Sequence, residues 1–148
     1  MSQTKIVITG IGVLAPNGNS ITEFWSNLTN GVSGIAPITY FNTDNHKVKI
    51  AGELKNVSSH NIIDPKEIRK LDPFSIYAIL ATHEAMEMSG LHEYSFESDR
   101  AGVIIGTGVG GIQTLEDQHS IIENRGAKRV SPQFVPKMIS NIAGGHLS

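Results

Sequence analysis

An α/β fold is predicted for this 148-residue sequence by three observations. Two β-branched runs, Lys5 to Thr9 and Arg100 to Ile105, each stop at a glycine-rich turn, and a strong helical pattern lies between them. No internal repeat, low-complexity tract or linker divides the chain, so one incomplete domain is the economical organisation.

The first run, Lys5-Ile6-Val7-Ile8-Thr9, reads as a buried strand feeding the turn Gly10-Ile11-Gly12. Beyond Pro16-Asn17-Gly18-Asn19, Ser20 stands three residues before Glu23, the spacing of a capping box. Phe24, Trp25 and Leu28 then share one face of a short helix ending near Gly31. Gly31 to Asn45 is rich in Gly, Pro, Thr and Asn and reads as loop, followed by a short strand carrying Val48 and Ile50 through Gly52. Asp64-Pro65 and Asp72-Pro73 each place a capping carboxylate before a first-turn proline. The first opens a basic helix, Lys66 to Lys70. The second opens the main helix, in which Ile76, Ile79, Leu80, His83, Met86 and Glu87 keep helical spacing and Gly90 supplies the stop. Arg100 to Ile105 reads as a second buried strand leading through Gly106-Thr107-Gly108-Val109-Gly110-Gly111 into a polar helix, about Gln113 to Asn124. A basic loop, Arg125 to Arg129, then precedes Ser131-Pro132-Gln133-Phe134-Val135-Pro136 and a last helical stretch, Lys137 to Ser148, which stops without a cap.

Composition narrows the function classes. With 39% hydrophobic and 18% charged residues the chain has the recipe of a packed domain rather than a disordered one. A net charge of -2 and a pI near 6.3 provide no overall basic field for nucleic acid or an anionic membrane. The absence of cysteine rules out a disulfide framework, a thiolate metal site and a cysteine nucleophile within these residues. No apolar run is long enough to span a bilayer, and Met1 to Gly10 is not a signal peptide, so the expected compartment is the cytoplasm.

Gly106, Gly108 and Gly111 match G-x-G-x-x-G between a strand and a helix, the setting of a dinucleotide-binding fingerprint. That fingerprint also needs a second strand ending in an acidic residue, whereas the chain runs through Gly126-Ala127-Lys128-Arg129 into Ser131-Pro132. Glycines serving a tight turn and a close backbone approach are the simpler reading, with a nucleotide cradle as the alternative. His83-Glu84-Ala85-Met86-Glu87 is half of a zinc-helix motif without its second histidine, which favours a structural role and no metal. Ser33 lacks the spacing of a nucleophile turn, and His146 among small residues reads as a packing or hydrogen-bonding histidine rather than a base. Lys66, Arg69 and Lys70, at i, i+3 and i+4, fall on one helical face and can meet an acidic partner. Lys128 and Arg129 can join them if the fold brings them near.

Taken together, Val7 to Gly18, Lys66 to Phe74, Gly106 to Gly111, and Ser131 to Pro136 with Asn141 to His146 resemble the N-terminal region of β-ketoacyl-acyl-carrier-protein synthases of the elongating type. The resemblance covers essentially the whole chain. It implies a thiolase-like fold, of which residues 1–148 form an incomplete N-terminal half that ends before the strand and helix carrying the nucleophile. It also implies a homodimer that needs no cofactor, with acyl carrier protein as partner and acyl and malonyl thioesters as substrates, in either fatty-acid or polyketide synthesis. The family's cysteine, two histidines and lysine have no counterparts here, so no catalytic residue is assigned. Carried over residue by residue, Lys66, Arg69, Lys70, Lys128 and Arg129 match carrier-docking positions. Val109 matches a residue at the acyl-pocket entrance, and Phe134, with Met138 beside it, matches an aromatic that reaches across the dimer to the partner's pocket. A nucleophile-lacking subunit that sets chain length is the alternative within the resemblance, and a dinucleotide-binding module the alternative outside it.

Overall fold

The first three helices of this chain start at residues whose side chains accept a backbone N–H, and the computed structural model, which describes residues 5–59, 61–91 and 98–148, places them at the forecast positions. Helix α1 (Ile21–Thr29) is capped by Ser20, whose hydroxyl accepts the Glu23 N–H at 3.2 Å. Glu23 reaches back to the Asn19 N–H at 2.8 Å, one residue beyond the usual capping-box partner. Asp64 accepts the Lys66 N–H at 2.7 Å to start α2 (Pro65–Ile68), and Asp72 accepts the Phe74 N–H at 3.1 Å to start α3 (Pro73–Ser89). Gly90, at φ 67°, ends α3 in the left-handed conformation expected of a C-terminal glycine.

The core gathers around α3. Ile63, Leu71 and Leu80 are buried together, with Leu14, Val57, Ile68, Ile76 and Ile79 packed on them. His83 and Glu87, which the spacing placed with the core residues, are exposed. Ser75 is the fully buried polar residue of this helix, and partly buried Glu84 ties the helix to the N-terminal segment. The two Glu84 oxygens accept the Val13 N–H at 2.8 Å and the Ile21 N–H at 2.7 Å, clamping the N-terminal segment and the start of α1 to α3. Both oxygens of this half zinc motif therefore serve backbone donors, which is a structural role.

The two anticipated buried strands are corrected by the structure. Lys5 to Thr9 enters no ladder, and Ile6 and Ile8 are 95% and 82% exposed. Ser98–Arg100 is a 3-10 turn, and the residues after it to Ile105 are likewise unpaired, with Ile104 97% exposed. A strand is stabilised by its neighbours, and among the described residues neither run is hydrogen-bonded to one. The ladder that does form is elsewhere. β1 (Ile35–Pro37), inside the stretch read as loop, pairs antiparallel with β2 (Ile50–Gly52), setting Ile35 opposite Gly52 and Pro37 opposite Ile50.

Glu53 locks this hairpin. It is 7% exposed and accepts the Thr39 hydroxyl at 2.7 Å, the Thr39 N–H at 2.9 Å and the Tyr40 N–H at 3.2 Å. Burial, the largest single influence, raises its pKa. The Thr39 hydroxyl, the Thr39 and Tyr40 N–H groups and the Lys55 charge together outweigh it, so the carboxyl titrates below its ordinary value of 4.5. A depressed carboxylate contributes stability that is complete above the unfolded-state value and is lost as the pH falls through the folded one. Urea unfolding is accordingly expected to lose free energy as the pH drops below 4.5, and Glu53→Gln is expected to flatten that slope.

The C-terminal third folds back on α3. Helix α4 (Ile112–Arg125) runs into a 3-10 turn, Ala127–Arg129, that packs against it. Gln118 of α4, buried, accepts the Ser131 N–H at 2.7 Å and turns the chain back along the helix. The single helical stretch expected from Lys137 to Ser148 is instead two short helices, α5 (Phe134–Met138) and α6 (Ile142–Leu147). Extended backbone at Ile139, ψ 139°, interrupts them. α6 packs on α3 through fully buried Ala143.

Candidate functional site

The basic trio lies on α2 and the turn after it, not on one helix. α2 closes at Ile68, Arg69 is its C-cap, and Lys70 lies beyond it. All three side chains are exposed. Lys70 is not an independent charge, however, because its Nζ stands 2.7 Å from Glu67 Oε1. The equal alignment expected from i, i+3 and i+4 spacing thus gives way to two outward cations, Lys66 and Arg69, and one paired with a carboxylate. Lys128 and Arg129 occupy the separate 3-10 turn at the far end of α4 and are also exposed.

A residue not singled out in the sequence holds the end of α2. Lys137 of α5 donates from Nζ to the Arg69 carbonyl oxygen at 3.3 Å, tying the end of α2 to α5. The two helices, with α4, enclose a cleft of about 120 Å³ whose lining includes Arg69, Thr114, Gln118, Ser131, Phe134 and Lys137. One of the basic residues and the aromatic singled out in the sequence, Phe134, therefore share a cavity. The signal for Lys137 was its position three residues after Phe134, which places both on one helical face.

The glycine turn is held by its second half. Gly111 donates its N–H to the Met138 carbonyl oxygen at 2.9 Å, which seats residues 110–111 against the end of α5. A Cβ at Gly110, φ 79°, would meet the Met138 oxygen at 2.5 Å, and one at Gly111 would meet the Lys137 oxygen at 2.7 Å. A Cβ at Gly106 or Gly108 would meet nothing. The tight approach is made to this chain's own backbone, which accounts for Gly111 of the G-x-G-x-x-G pattern. Val109, on the free half of the turn, is 65% exposed. Met138 is brought to the turn by the Gly111 bond, and Phe134 lies one helical turn away from Met138 on α5.

Asp72 and Thr114 were not paired in the sequence reading. Asp72 Oδ2 accepts the Thr114 hydroxyl at 2.6 Å and the Thr114 N–H at 2.9 Å, while Oδ1 caps α3. Burial first, then Tyr40, and least the Asp72 charge push the hydroxyl of neighbouring Tyr77 above the usual tyrosine range. Among the described residues no group of three or more His, Asp or Glu side chains is placed to hold a metal ion, and no helix is long and apolar enough to cross a membrane.

Comparison with known proteins gives a consistent picture. The family model of the β-ketoacyl synthase N-terminal domain matches residues 3–148. The 3-oxoacyl-(acyl-carrier-protein) synthase 2 of Staphylococcus aureus strain COL is 45% identical over 149 residues, which take in 100% of this chain and 36% of that protein. The protein of the same name from Synechocystis is 36% identical over 145 residues, 98% of this chain and 35% of the relative. The chain thus spans about a third of the length of these curated relatives. Among solved structures, the ketosynthase complex AntDE:AntF, described as a type II polyketide acyl-carrier protein with its ketosynthase bound to the hexaketide, matches with a TM-score of 0.77 at 27% identity. It covers 96% of this chain and 38% of the other. The ishigamide ketosynthase/chain length factor matches with a TM-score of 0.76 at 22% identity over 93% of this chain and 34% of its own, a likeness of fold alone.

Proposed function

The chain belongs to the β-ketoacyl synthase family, as its N-terminal domain with the thiolase-like fold of the ketosynthases, and from that premise we propose that it forms the carrier-facing part of a 3-oxoacyl-acyl-carrier-protein synthase. The proposed reaction joins an acyl thioester to malonyl-carrier. Malonyl-carrier loses CO2, the electron pair left on its α-carbon attacks the acyl carbonyl, and the thiolate that carried the acyl group departs. This chain contains no cysteine, so the acyl-bearing thiol is assigned to the remainder of the synthase domain, of which residues 1–148 are the N-terminal part.

In this reading Lys66, Arg69, Lys128 and Arg129 face the acidic carrier, with Lys70 as a weaker member because Glu67 already pairs with it. Val109, Phe134 and Met138 bound the apolar channel for the acyl chain, Phe134 doing so across a homodimer. The proposed setting is the cytoplasm. The observation that carries the reading is the cleft shared by Arg69 and Phe134, closed by the Lys137 bond to the Arg69 carbonyl. One proposed docking residue and one proposed channel residue thereby line the same cleft. Incubating the complete synthase with acyl-carrier and malonyl-carrier is expected to release CO2 and yield β-ketoacyl-carrier in equal amounts. A folded protein that yields neither product would overturn the proposal.

A further inference from the structure

We propose that Asp72 is a positioning residue that fixes the start of α4 and, with it, the seat of Val109, so that it tunes which acyl chains the synthase accepts; this rests on the reading of Val109 as a channel residue. The N-cap position of α4 is Gly111, which has no side chain with which to cap the helix. A capping side chain cannot be built there, because a Cβ would meet the Lys137 carbonyl oxygen at 2.7 Å and Asp72 Oδ2 at 2.9 Å. The missing acceptor comes from 42 positions away. Asp72 Oδ2 takes the N–H and the hydroxyl of Thr114, the third helical residue, whose N–H an N-cap side chain would ordinarily satisfy.

The same carboxylate caps α3 with its other oxygen, so one charge sits at two helix starts, where the helix dipoles favour an anion. Asp72 is 2% exposed and Thr114 is buried, so water does not compete for these bonds. On the other side of Gly111 the turn is loose. Gly106 and Gly108 are open, and beside Val109 the Gly110 N–H donates to Thr107 Oγ1 at 3.2 Å. Val109 is therefore carried by the Gly110–Gly111 corner, and that corner is held by the Met138 carbonyl and by Asp72 through Thr114.

The test is the ratio of kcat/KM for a long to a short acyl-carrier in the complete synthase, a selectivity that uniform loss of stability does not move. Asp72→Asn and Thr114→Val are each expected to shift that ratio roughly fivefold or more in the same direction, with the double variant no further displaced than the larger single one, as for two residues acting through one contact. Thr114→Ser keeps the hydroxyl and is expected to keep the parent ratio. Should Asp72→Asn fail to fold, Thr114→Val decides alone, since it removes the hydroxyl bond and leaves the N–H bond. A ratio unchanged in a folded Thr114→Val, with only the melting temperature lowered, overturns the proposal. Val109→Phe separates the two failures: if it also leaves the ratio unchanged, the channel reading of Val109 falls and takes this inference with it. If it alone shifts the ratio, only the role of Asp72 is lost.

Discussion

Gly12→Ala is expected to cost about 3 kcal/mol of folding free energy or more, a large loss for a single methyl group. The added Cβ would lie 1.8 Å from the Ala81 carbonyl oxygen and 2.8 Å from its carbonyl carbon. Those atoms belong to the backbone of α3, so no rotamer change relieves the contact and no substitution of the Ala81 side chain rescues it. The segment has to lift off the helix. Lifting it pulls the Val13 N–H from the Glu84 carboxylate, now 2.8 Å away, and hydrogen bonds to a charged acceptor typically contribute about 1.5–3 kcal/mol. Gly10 compounds the constraint, because a Cβ there would lie 2.0 Å from the Ala85 carbonyl oxygen one turn further along. The measurement is the urea midpoint of Gly12→Ala against the parent at unchanged slope. A difference within about 0.5 kcal/mol, the range of ordinary surface substitutions, would show that the segment does not pack on α3 in this way.

The features legible in the sequence are those whose physics is local. Ser20 with Glu23, Asp64 with Pro65, Asp72 with Pro73, and Gly90 all act within a few residues of themselves, and each begins or ends the helix it announced. Strands are different, because β-branched residues say that a run suits a sheet without saying where its partner is. Ile6 to Ile8 and Val103 to Ile105 carry that preference and remain unpaired among the described residues, while the less obvious Ile35-Ala36-Pro37 pairs because Glu53 gathers Thr39 and Tyr40 just beyond it. The candidate site divides along the same line. Exposed cations and a glycine turn can be read one residue at a time. The Asp72 to Thr114, Glu84 to Val13 and Lys137 to Arg69 contacts, 42, 71 and 68 positions apart, cannot, since each partner has a sufficient local explanation of its own.

Reversing the charge at both Lys66 and Arg69 in the complete synthase is expected to weaken binding of acyl carrier protein on the order of a hundredfold at low salt, corresponding to about 1.4 kcal/mol per tenfold change. Both side chains are exposed, and on the proposed docking reading each reversal replaces an attraction to an acidic partner with a repulsion. Because the contacts are solvent-facing, the deficit is expected to shrink as ionic strength rises and the screening length falls from about 30 Å at 0.01 M to about 10 Å at 0.1 M. Neighbouring Glu67 supplies a signed control. Its carboxylate now holds Lys70 Nζ at 2.7 Å, so Glu67→Gln both removes a negative charge and releases a positive one, and it is expected to tighten carrier binding by a few-fold under the same conditions. Lys70→Glu is correspondingly expected to weaken binding less than Arg69→Glu, because in the parent Lys70 already gives part of its field to Glu67. Titration of labelled carrier at two salt concentrations measures all four variants. Equal affinities across the series would move the docking face off α2. A loss that persisted undiminished at high salt would mean that the substitutions had disturbed the Arg69–Lys137 junction rather than the surface field.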